Sequence, residues 1–299
     1  MGKSKIEWCD RTWNPVTGCT KISPGCANCY AERMSKRLAG RCGYPTLDPF
    51  KVTAHSERLG EPARWRKPSR VFVCSMGDLF HDDVPNSFIW EVFMQMRSTE
   101  IHTFLILTKR PERMKFIISW LRDRGMWPLN HVWLGVTCEN QEQANKRIPV
   151  LLQIPAAVRF VSVEPMLSPV DISLWFVSGY MEPPYDDVLN WVICGGESGP
   201  GARPLHPDWV RSLRDQCQVA GASFLFKQWG EWEAFYDRDR DDPDWRNVPE
   251  EGPRITRINL AGGKGFHGDR VVYFCRVNKK KAGRLLDGRT WDEYPEVVT

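Results

Sequence analysis

No apolar run in this sequence of 299 residues approaches the roughly 18 consecutive apolar residues that a membrane-spanning helix requires. The N-terminal residues, MGKSKIEWCD, also lack the apolar stretch of a secretory signal. The sequence also has little excess of one sign of charge over the other, with 41 Lys and Arg residues against 37 Asp and Glu residues. The formal net charge is only +4, which permits contact with nucleic acid without arguing for it. These absences predict a cytoplasmic protein that makes no contact with a membrane.

Cysteine, in contrast, is abundant, with ten residues in the chain. In a reducing cytoplasm, thiols rarely form disulfides. We therefore interpret the cysteines as metal ligands, reactive thiols or small core residues rather than as a disulfide framework.

Short, β-rich apolar runs recur along the chain, with segments of helical length between them. These runs do not alternate apolar with polar residues, which indicates strands that are buried on both faces, as in a parallel sheet covered by helices. The predicted strands are a segment near Thr12–Val16 and the runs Val71–Ser75, Thr103–Thr108, Val132–Thr137, Arg159–Glu164, Trp191–Gly195 and Ser223–Lys227. The predicted helices are Tyr30–Leu38, Asn86–Arg97, Pro111–Arg124, Asn140–Leu152 and His206–Ala220.

This alternation predicts an α/β fold of repeated βα units. It favours an open or closed (β/α) barrel over a doubly wound sheet, and in either fold the active site lies at the carboxyl ends of the strands. We assign residues 1–230 to the barrel, including an N-terminal cysteine loop. Residues 231–299 form an irregular C-terminal appendage, in which only Val271–Arg276 looks like a strand.

Three cysteines lie in the loop that follows the first predicted strand, with the spacing Cys19-x6-Cys26-x2-Cys29. A 4Fe–4S cluster can take three thiolates from one such loop, and its fourth iron then stays open for a small ligand. The residues leave two alternatives open. Cys26 and Cys29 also form half of a zinc site that Cys9 and Cys19 could complete, and the last alternative is that the cysteines carry no ligand.

Several longer stretches resemble a phage- and prophage-associated family of radical S-adenosylmethionine (SAM) type with three cysteines. These stretches are TWNPVTGCTKISPGCANCYAERM, SMGDLFHDDVP, ICGGESGPGARPLHPDWVRSLRDQC, FKQWGEW and KKAGRLLDGRTWDEYP, and together they extend along nearly the whole chain. The resemblance implies a partial (β/α) barrel of radical SAM type, a 4Fe–4S cluster on Cys19, Cys26 and Cys29, and SAM as cofactor. It also implies a three-Cys-motif partner protein and an electron donor such as flavodoxin or ferredoxin.

The cysteine loop differs from the commonest radical SAM spacing, Cys-x3-Cys-x2-Cys, in which an aromatic residue precedes the last cysteine. Here Asn28 holds that position and Tyr30 follows the last cysteine. Tyr30 is therefore the aromatic residue that we predict to contact the cofactor.

Polar residues follow the second, fourth and fifth predicted strands. Gly77 and Asp78 are candidates for the SAM amino group, because a carboxylate accepts charge-assisted hydrogen bonds, although Asp78 could equally cap a turn. Cys138 is a candidate hydrogen donor to a radical, and its alternative is a small buried cysteine. Glu164 either binds a ligand or pairs with a cation, since a buried unpaired carboxylate is costly.

The last two predicted strands end in further candidates. Gly195 and Gly196 allow backbone amides to approach a ligand, and Glu197 could bind its polar groups, although a tight crossover would also require glycine. Lys227 ends the last strand, followed by Trp229 and Trp232, which would suit a flat or anionic substrate or else belong to the core.

The hypothesis that follows is a radical SAM enzyme in which Cys138, Glu164 and Lys227 act on a nucleic acid or nucleotide-like substrate. A zinc-stabilised nucleic-acid-binding protein without radical chemistry is the first alternative. A redox or partner-binding module that carries a cluster without turning over SAM is the second. The three hypotheses predict different iron contents of the protein or different outcomes for the formation of 5′-deoxyadenosine.

Overall fold

The computed structural model describes residues 4–177, 188–241, 244, 246–266 and 270–296. The strands are β1 Arg11–Trp13, β2 Val16–Thr17, β3 Thr53–Ala54, β4 Arg70–Val73, β5 Thr103–Thr108, β6 Val132–Thr137, β7 Arg159–Val163, β8 Trp191–Gly195, β9 Ser223–Gln228, β10 Trp232–Asp237, β11 Ile255–Asn259 and β12 Val271–Arg276. The α-helices are α1 Tyr30–Leu38, α2 Asn86–Arg97, α3 Pro111–Arg122, α4 Gln141–Leu152, α5 Pro207–Ala220, α6 Arg238–Asp241 and α7 Lys279–Ala282.

Seven parallel strands form the main sheet in the order β1-β4-β5-β6-β7-β8-β9. Each strand added along the chain lies next to the previous one, so the order never reverses as it does in a doubly wound sheet. Because βα crossovers are right-handed, an order without reversal places the crossover helices on one face. The expected α/β fold with a partial barrel is confirmed.

The strands have the burial that their sequences predict. Every residue of β6, β7 and β8 is buried, which explains why these runs are mostly apolar and do not alternate with polar residues. The main core lies between the sheet and its helices. A smaller core fills the inner face of the sheet with Trp8, Trp133, Phe160, Trp191 and Leu225, against which Tyr294 packs. Residues near both ends of the chain therefore cover the concave side of the barrel.

The helix ends follow local chemistry. The side chain of Asn140 accepts a hydrogen bond from the backbone N–H of Gln143 at 2.9 Å, so Asn140 caps α4 rather than belonging to it. Pro111 begins α3 and Pro207 begins α5, where the missing N–H of proline costs nothing. Helix α3 ends two residues earlier than expected, at Arg122. Within the described ranges, no helix is both long and apolar enough to cross a membrane.

The strand expected near Thr12–Val16 is two strands in different sheets. Strand β1 ends at Trp13 and pairs with β4, whereas β2 begins at Val16 and pairs with β3. Pro15 stands between them and has no N–H to continue a ladder. The chain therefore leaves the main sheet just before it enters the cysteine loop.

The C-terminal region is more regular than the sequence indicated. Strands β10, β12 and β11 form a three-stranded antiparallel sheet, so the expectation of one strand in this region is wrong. The alternation that would have revealed β10 is weak, because β10 has five half-buried or exposed residues before its buried end. The chain then returns to the barrel, where the backbone N–H of Phe226 donates to the carbonyl of Trp291 at 3.0 Å. The division at residue 231 stays a prediction.

Candidate functional site

A cavity of about 730 Å³ opens at the carboxyl ends of the parallel strands. Ten of the residues singled out from the sequence line it: Cys19, Cys26, Cys29, Tyr30, Gly77, Asp78, Glu164, Gly196, Glu197 and Lys227. Because the strands are parallel and adjacent, residues far apart in the chain meet at this one edge of the sheet. The fold thus brings most of the candidate residues to a single site.

The cysteine loop enters the cavity through two glycines that touch. Gly18 has a φ of +84°, and a Cβ at this position would lie 2.2 Å from the carbonyl oxygen of Lys51. A Cβ on Gly77 would lie 2.9 Å from the carbonyl oxygen of Gly18. Gly77 is therefore required for close packing against the loop, independently of any contact with a cofactor.

Three carboxylate–arginine pairs at three strand ends hold the cysteine loop in place. The pairs are Asp78–Arg110, Glu139–Arg147 and Glu197–Arg203, with shortest nitrogen–oxygen distances of 3.0, 2.9 and 2.7 Å. All three carboxylates are buried, so each needs its cation and its hydrogen bonds to remain charged. Each pair also bonds to a different part of the loop.

The first pair reaches the first cysteine. Nη1 of Arg110 donates to Oδ2 of Asp78 at 3.0 Å and to Sγ of Cys19 at 3.3 Å. Nη2 of Arg110 donates to Oγ1 of Thr20 at 2.9 Å. Asp78 also accepts from the hydroxyl of Thr108 at 2.8 Å. Since protein donors surround this carboxylate, the geometry favours an anchor of the loop over a free acceptor for the SAM amino group.

The second pair holds the middle of the loop. The backbone N–H of Gly25 donates to Oε1 of Glu139 at 3.0 Å, and Nη1 of Arg147 donates to Oε2 at 2.9 Å. Burial by itself would raise the pKa of Glu139, but a hydrogen bond from Ser23 and nearby cations hold this pKa below its ordinary value. Glu139 therefore stays ionised although it is fully buried.

The third pair holds the end of the loop. Nδ2 of Asn28 donates to Oε2 of Glu197 at 3.0 Å and to the carbonyl of Gly201 at 2.8 Å. Arg203 donates to Glu197 through its backbone N–H and its guanidinium, and also to the carbonyl of Pro24 at 3.2 Å. Burial opposes ionisation of Glu197, yet the hydrogen bonds from Arg203 and Asn28 lower its pKa. Asn28 thus fixes the segment between Cys26 and Cys29.

The three thiols of the loop are half-buried and form no disulfide. Burial and the charge of Asp78 raise the pKa of the Cys19 thiol. Burial acts the same way on Cys26, but the charge of Lys109 and hydrogen bonds from backbone N–H groups outweigh it, and the pKa of Cys26 is lowered. The cavity therefore presents one thiol whose pKa is lowered and two neighbouring thiols within the same loop.

This set of donors fits a 4Fe–4S cluster better than a single zinc ion. Within the described ranges, no three Cys, His, Asp or Glu side chains converge as ligands of one metal ion. The three cysteine ligands of a cluster bind three different irons and need not converge on one point. Cys9, the fourth ligand of the zinc alternative, is buried in the inner core and its thiol donates to Ser4 at 3.3 Å. Burial raises the pKa of Cys9 to about 11, which disfavours the thiolate that zinc would require.

Glu164 and Lys227 meet on the cavity wall. Nζ of Lys227 lies 2.6 Å from Oε1 of Glu164, and their side chains are 16% and 19% exposed. The sequence left open whether Glu164 pairs with a cation or binds a ligand, and the structure provides the cation. The pair still borders the cavity, so both residues remain accessible to a ligand.

Gly195 and Gly196 differ in their surroundings. A Cβ on Gly196 would lie 2.0 Å from the carbonyl oxygen of Trp229, so this glycine is needed for backbone packing. A Cβ on Gly195 would make ordinary contacts at 3.4 Å with the side chains of Glu164 and Lys227. The tight crossover between strands therefore explains Gly196 without a ligand.

Four candidates lie away from the cavity lining, namely Gly195, Cys138, Trp229 and Trp232. Cys138 is fully buried in the main core, and its thiol donates to the carbonyl of Gln143 at 3.8 Å. The indole N–H groups of Trp229 and Trp232 donate to the carbonyls of Leu285 and Ala202 at 2.9 and 2.7 Å. Cys138 thus has the burial of a small core cysteine, the alternative that the sequence left open, and both tryptophans have structural hydrogen-bond partners. The roles expected for these residues stay predictions.

Sequence reasoning missed Glu139 and Arg147 as parts of the site. Glu139 follows the end of β6, and a charged residue after an apolar strand is a signal that was available, whereas Arg147 lies inside helix α4. The partner of Glu139 in the cysteine loop is the backbone N–H of Gly25, 114 positions away. Only the fold reveals such contacts.

The fold and the site define an α/β protein with a partial barrel whose cavity is bordered by a cysteine loop. The chain matches the family described as "Protein of unknown function (DUF5131)" over residues 3–295, and it belongs to that family. No curated protein matches the chain.

Among solved structures, the chain is similar to spore photoproduct lyase. A cysteine-to-serine mutant of that protein gives a TM-score of 0.43 at 10% identity, covering 94% of this chain and 72% of that chain. A mutant with bound AdoMet and dinucleoside spore photoproduct gives 0.41 at 10% identity, covering 90% and 68%. The complex with dinucleoside spore photoproduct gives 0.38 at 9% identity, covering 89% and 67%. These values describe a distant likeness.

Proposed function

We propose that this protein is a radical SAM enzyme whose 4Fe–4S cluster is bound by Cys19, Cys26 and Cys29. The observation that carries the proposal is the cysteine loop itself, which three buried ion pairs hold at the carboxyl edge of a partial barrel. A cluster bound in this way leaves one iron open for SAM and supplies the electron that cleaves SAM into methionine and a 5′-deoxyadenosyl radical.

The residues of the chain have four tasks in this proposal. Arg110, Glu139 and Asn28 keep the loop in one geometry, so that the three thiols are positioned before the cluster binds. Tyr30 and Gly77 border the space next to the thiols, where SAM would bind. Glu164 and Lys227 stand on the wall as polar contacts for a substrate. The inner core and the residues that seal it keep water out of the barrel.

The proposed substrate is a nucleic acid or a nucleotide. Exposed cations close to the cavity support it, since Lys5 and Lys279 border the opening and Lys280 and Lys281 follow directly. An external electron donor of the flavodoxin or ferredoxin type and a three-Cys-motif partner protein remain part of the proposal, as the resemblance of the sequence implies.

Anaerobic reconstitution with iron and sulfide tests the proposal. We expect a brown protein with about four irons per chain that forms 5′-deoxyadenosine when it is reduced in the presence of SAM. The variant Cys26→Ala should lose both properties. Cys42→Ala, which removes an exposed cysteine outside the loop, should keep both. Stoichiometric zinc without iron uptake would instead establish the zinc-stabilised alternative, and iron uptake without 5′-deoxyadenosine would establish the redox module.

A further inference from the structure

Among the charged side chains that line the cavity outside the cysteine loop and its anchors, four are paired with one another: Glu7, Glu164, Lys227 and Lys279, called the charged quartet below. They form two ion pairs, Lys227–Glu164 at 2.6 Å and Lys279–Glu7 at 3.1 Å. Their formal charges cancel. The N-terminal segment and helix α7 contribute Glu7 and Lys279, so parts of the chain outside the repeated βα units complete this side of the cavity.

The charged quartet has hydrogen-bonding capacity to spare. Oε2 of Glu7 is buried and accepts no hydrogen bond from any described residue. The ammonium of Lys227 carries three N–H donors, and among the described residues Glu164 is the acceptor it has. Buried polar groups in proteins are normally paired, so a free acceptor and free donors on side chains that line one cavity indicate a ligand that supplies the complements.

The charges of the four side chains in the charged quartet determine which chemical group of a ligand fits there. A phosphate or carboxylate would bring only acceptors and a negative charge next to Glu7 and Glu164. An ammonium would meet Lys227 and Lys279. A neutral group with an N–H beside an acceptor satisfies both Glu7 and Lys227 without adding charge.

The neighbouring surface is suited to a flat group. Ile6, Phe72 and Leu107 line the same cavity and pack on the inner core of the barrel. A nucleobase combines a flat apolar face with an edge on which donors and acceptors are adjacent.

We propose that the charged quartet is a subsite for the edge of an unpaired nucleobase, with Glu7 accepting from the base and Lys227 donating to it. The inference rests on the proposed function for its substrate class and adds where and how the base is held. Since a paired base cannot reach the interior of a cavity, the substrate is single-stranded or presents a base turned out of its helix.

Binding measured with the reconstituted protein, saturating SAM and no reductant tests this subsite. The probe is a short fluorescein-labelled single-stranded DNA oligonucleotide of mixed sequence, followed by fluorescence anisotropy. Two unlabelled competitors are compared with the unlabelled single strand. One is a duplex of the same sequence, and the other is an abasic oligonucleotide with the same number of phosphates. We expect the unlabelled single strand to displace the probe about tenfold better than either competitor.

The variants Glu7→Leu and Lys227→Met should each weaken binding of the single strand about tenfold and leave binding of the abasic strand unchanged. Lys146→Met, at an exposed position of helix α4 outside the cavity lining, is the matched control for the loss of one lysine charge and should change both by less than about twofold. Circular dichroism and thermal unfolding establish that each variant is folded. Lys227→Arg, which keeps donors and charge, should retain most of the binding should Lys227→Met not fold.

Three results would overturn the subsite. The abasic strand could compete as well as the normal strand, which would make the contact a phosphate contact. Glu7→Leu and Lys227→Met could bind the probe as the wild type does. In a separate titration that starts without SAM, added SAM could displace the probe in proportion to its own occupancy, which would place the SAM adenine at the quartet. None of these results depends on 5′-deoxyadenosine formation, so a failure of the subsite is distinguishable from a failure of the proposed function.

Discussion

Arg110 donates to the thiol of Cys19 over 3.3 Å, with the same nitrogen that bonds to Asp78 over 3.0 Å. Arg110 follows β5, Asp78 follows β4, and Cys19 lies in the loop after β2, so one guanidinium connects three separate segments of the chain. A cation that donates to a sulfur ligand stabilises the thiolate and also the more negative, reduced state of any cluster bound there. Arg110 is therefore both a structural anchor and a source of positive charge at the site.

We predict that Arg110→Met takes up less iron on reconstitution and lowers the midpoint potential of the cluster that does form. Loss of the donated hydrogen bond and of the charge both act in this direction. Redox titration followed by electron paramagnetic resonance measures the potential. Arg113→Met is the control. Arg113 lies in the first turn of helix α3 and bonds to Asn86, so its substitution should leave the midpoint potential unchanged. An unchanged potential in Arg110→Met would show that the Arg110–Cys19 contact has no electronic role.

Glu139→Ala is expected to lower the free energy of unfolding by roughly 3–5 kcal/mol, because it leaves Arg147 buried without its partner and frees the backbone of Gly25. Urea denaturation measures the change. Glu142→Ala, which removes an exposed ion pair with Lys146 in helix α4, should cost no more than about 1 kcal/mol. Equal effects for the two substitutions would contradict the anchoring role of Glu139.

Gly18→Ala should disrupt the entry of the cysteine loop, at a cost of roughly 3 kcal/mol or more, because the new methyl group would overlap the backbone of Lys51. Gly125→Ala is the matched control. It has a similar positive φ of +69° with nothing within 4 Å of the added Cβ, so it should cost only about 1–2 kcal/mol. Thermal unfolding of both variants, together with iron content after reconstitution, separates steric overlap from backbone strain.

The stability of the protein should fall as the pH drops below the ordinary histidine pKa of about 6.5. His206 is fully buried, and burial lowers its pKa against the opposing charges of Asp208 and Asp237, with the charge of Arg270 acting in the same direction as burial. Its Nδ1 accepts the backbone N–H of Asp208 at 3.2 Å, so protonation at this nitrogen would break a helix cap. The unfolded chain binds the proton more readily, and stability present above the unfolded pKa is lost as the pH falls toward the folded one.

His206→Asn keeps a capping acceptor and removes the titration. Urea unfolding between about pH 7.5 and pH 5.5 should show a smaller loss of stability for this variant than for the wild type. The difference can reach at most about 1.4 kcal/mol per pH unit. A wild-type slope that the substitution leaves unchanged would mean that other groups cause the pH dependence.

Cys138→Ala should cost about 1 kcal/mol of stability by leaving a small space in the core, while reconstituted protein forms 5′-deoxyadenosine at the wild-type rate. The thiol is fully buried, and burial raises its pKa far above the ordinary value, so it is neither reactive nor in contact with the cavity. A loss of product formation with unchanged stability would restore the hydrogen-donor role that its position after β6 suggested.

Most secondary structure could be predicted from the sequence, because long apolar runs without alternation have few alternatives. The runs Thr103–Thr108, Val132–Thr137 and Trp191–Gly195 are strands with the predicted bounds. Helices Tyr30–Leu38 and Asn86–Arg97 match as well. The failures occur where local pattern is weak, as in β10, whose residues are mostly half-buried or exposed.

The sequence by itself determined the order of strands and helices, the parallel sheet and the edge at which polar residues gather, because periodicity and strand-end position are local properties. Only the tertiary structure decided the task of each polar residue. The contacts of Cys19 with Arg110, of Gly25 with Glu139 and of Asn28 with Glu197 join residues 91, 114 and 169 positions apart. A buried carboxylate must find a partner, and sequence alone states that need without naming the partner. The fold supplied an anchor for Asp78 and Glu197, a cation for Glu164, and no partner among the described residues for one oxygen of Glu7.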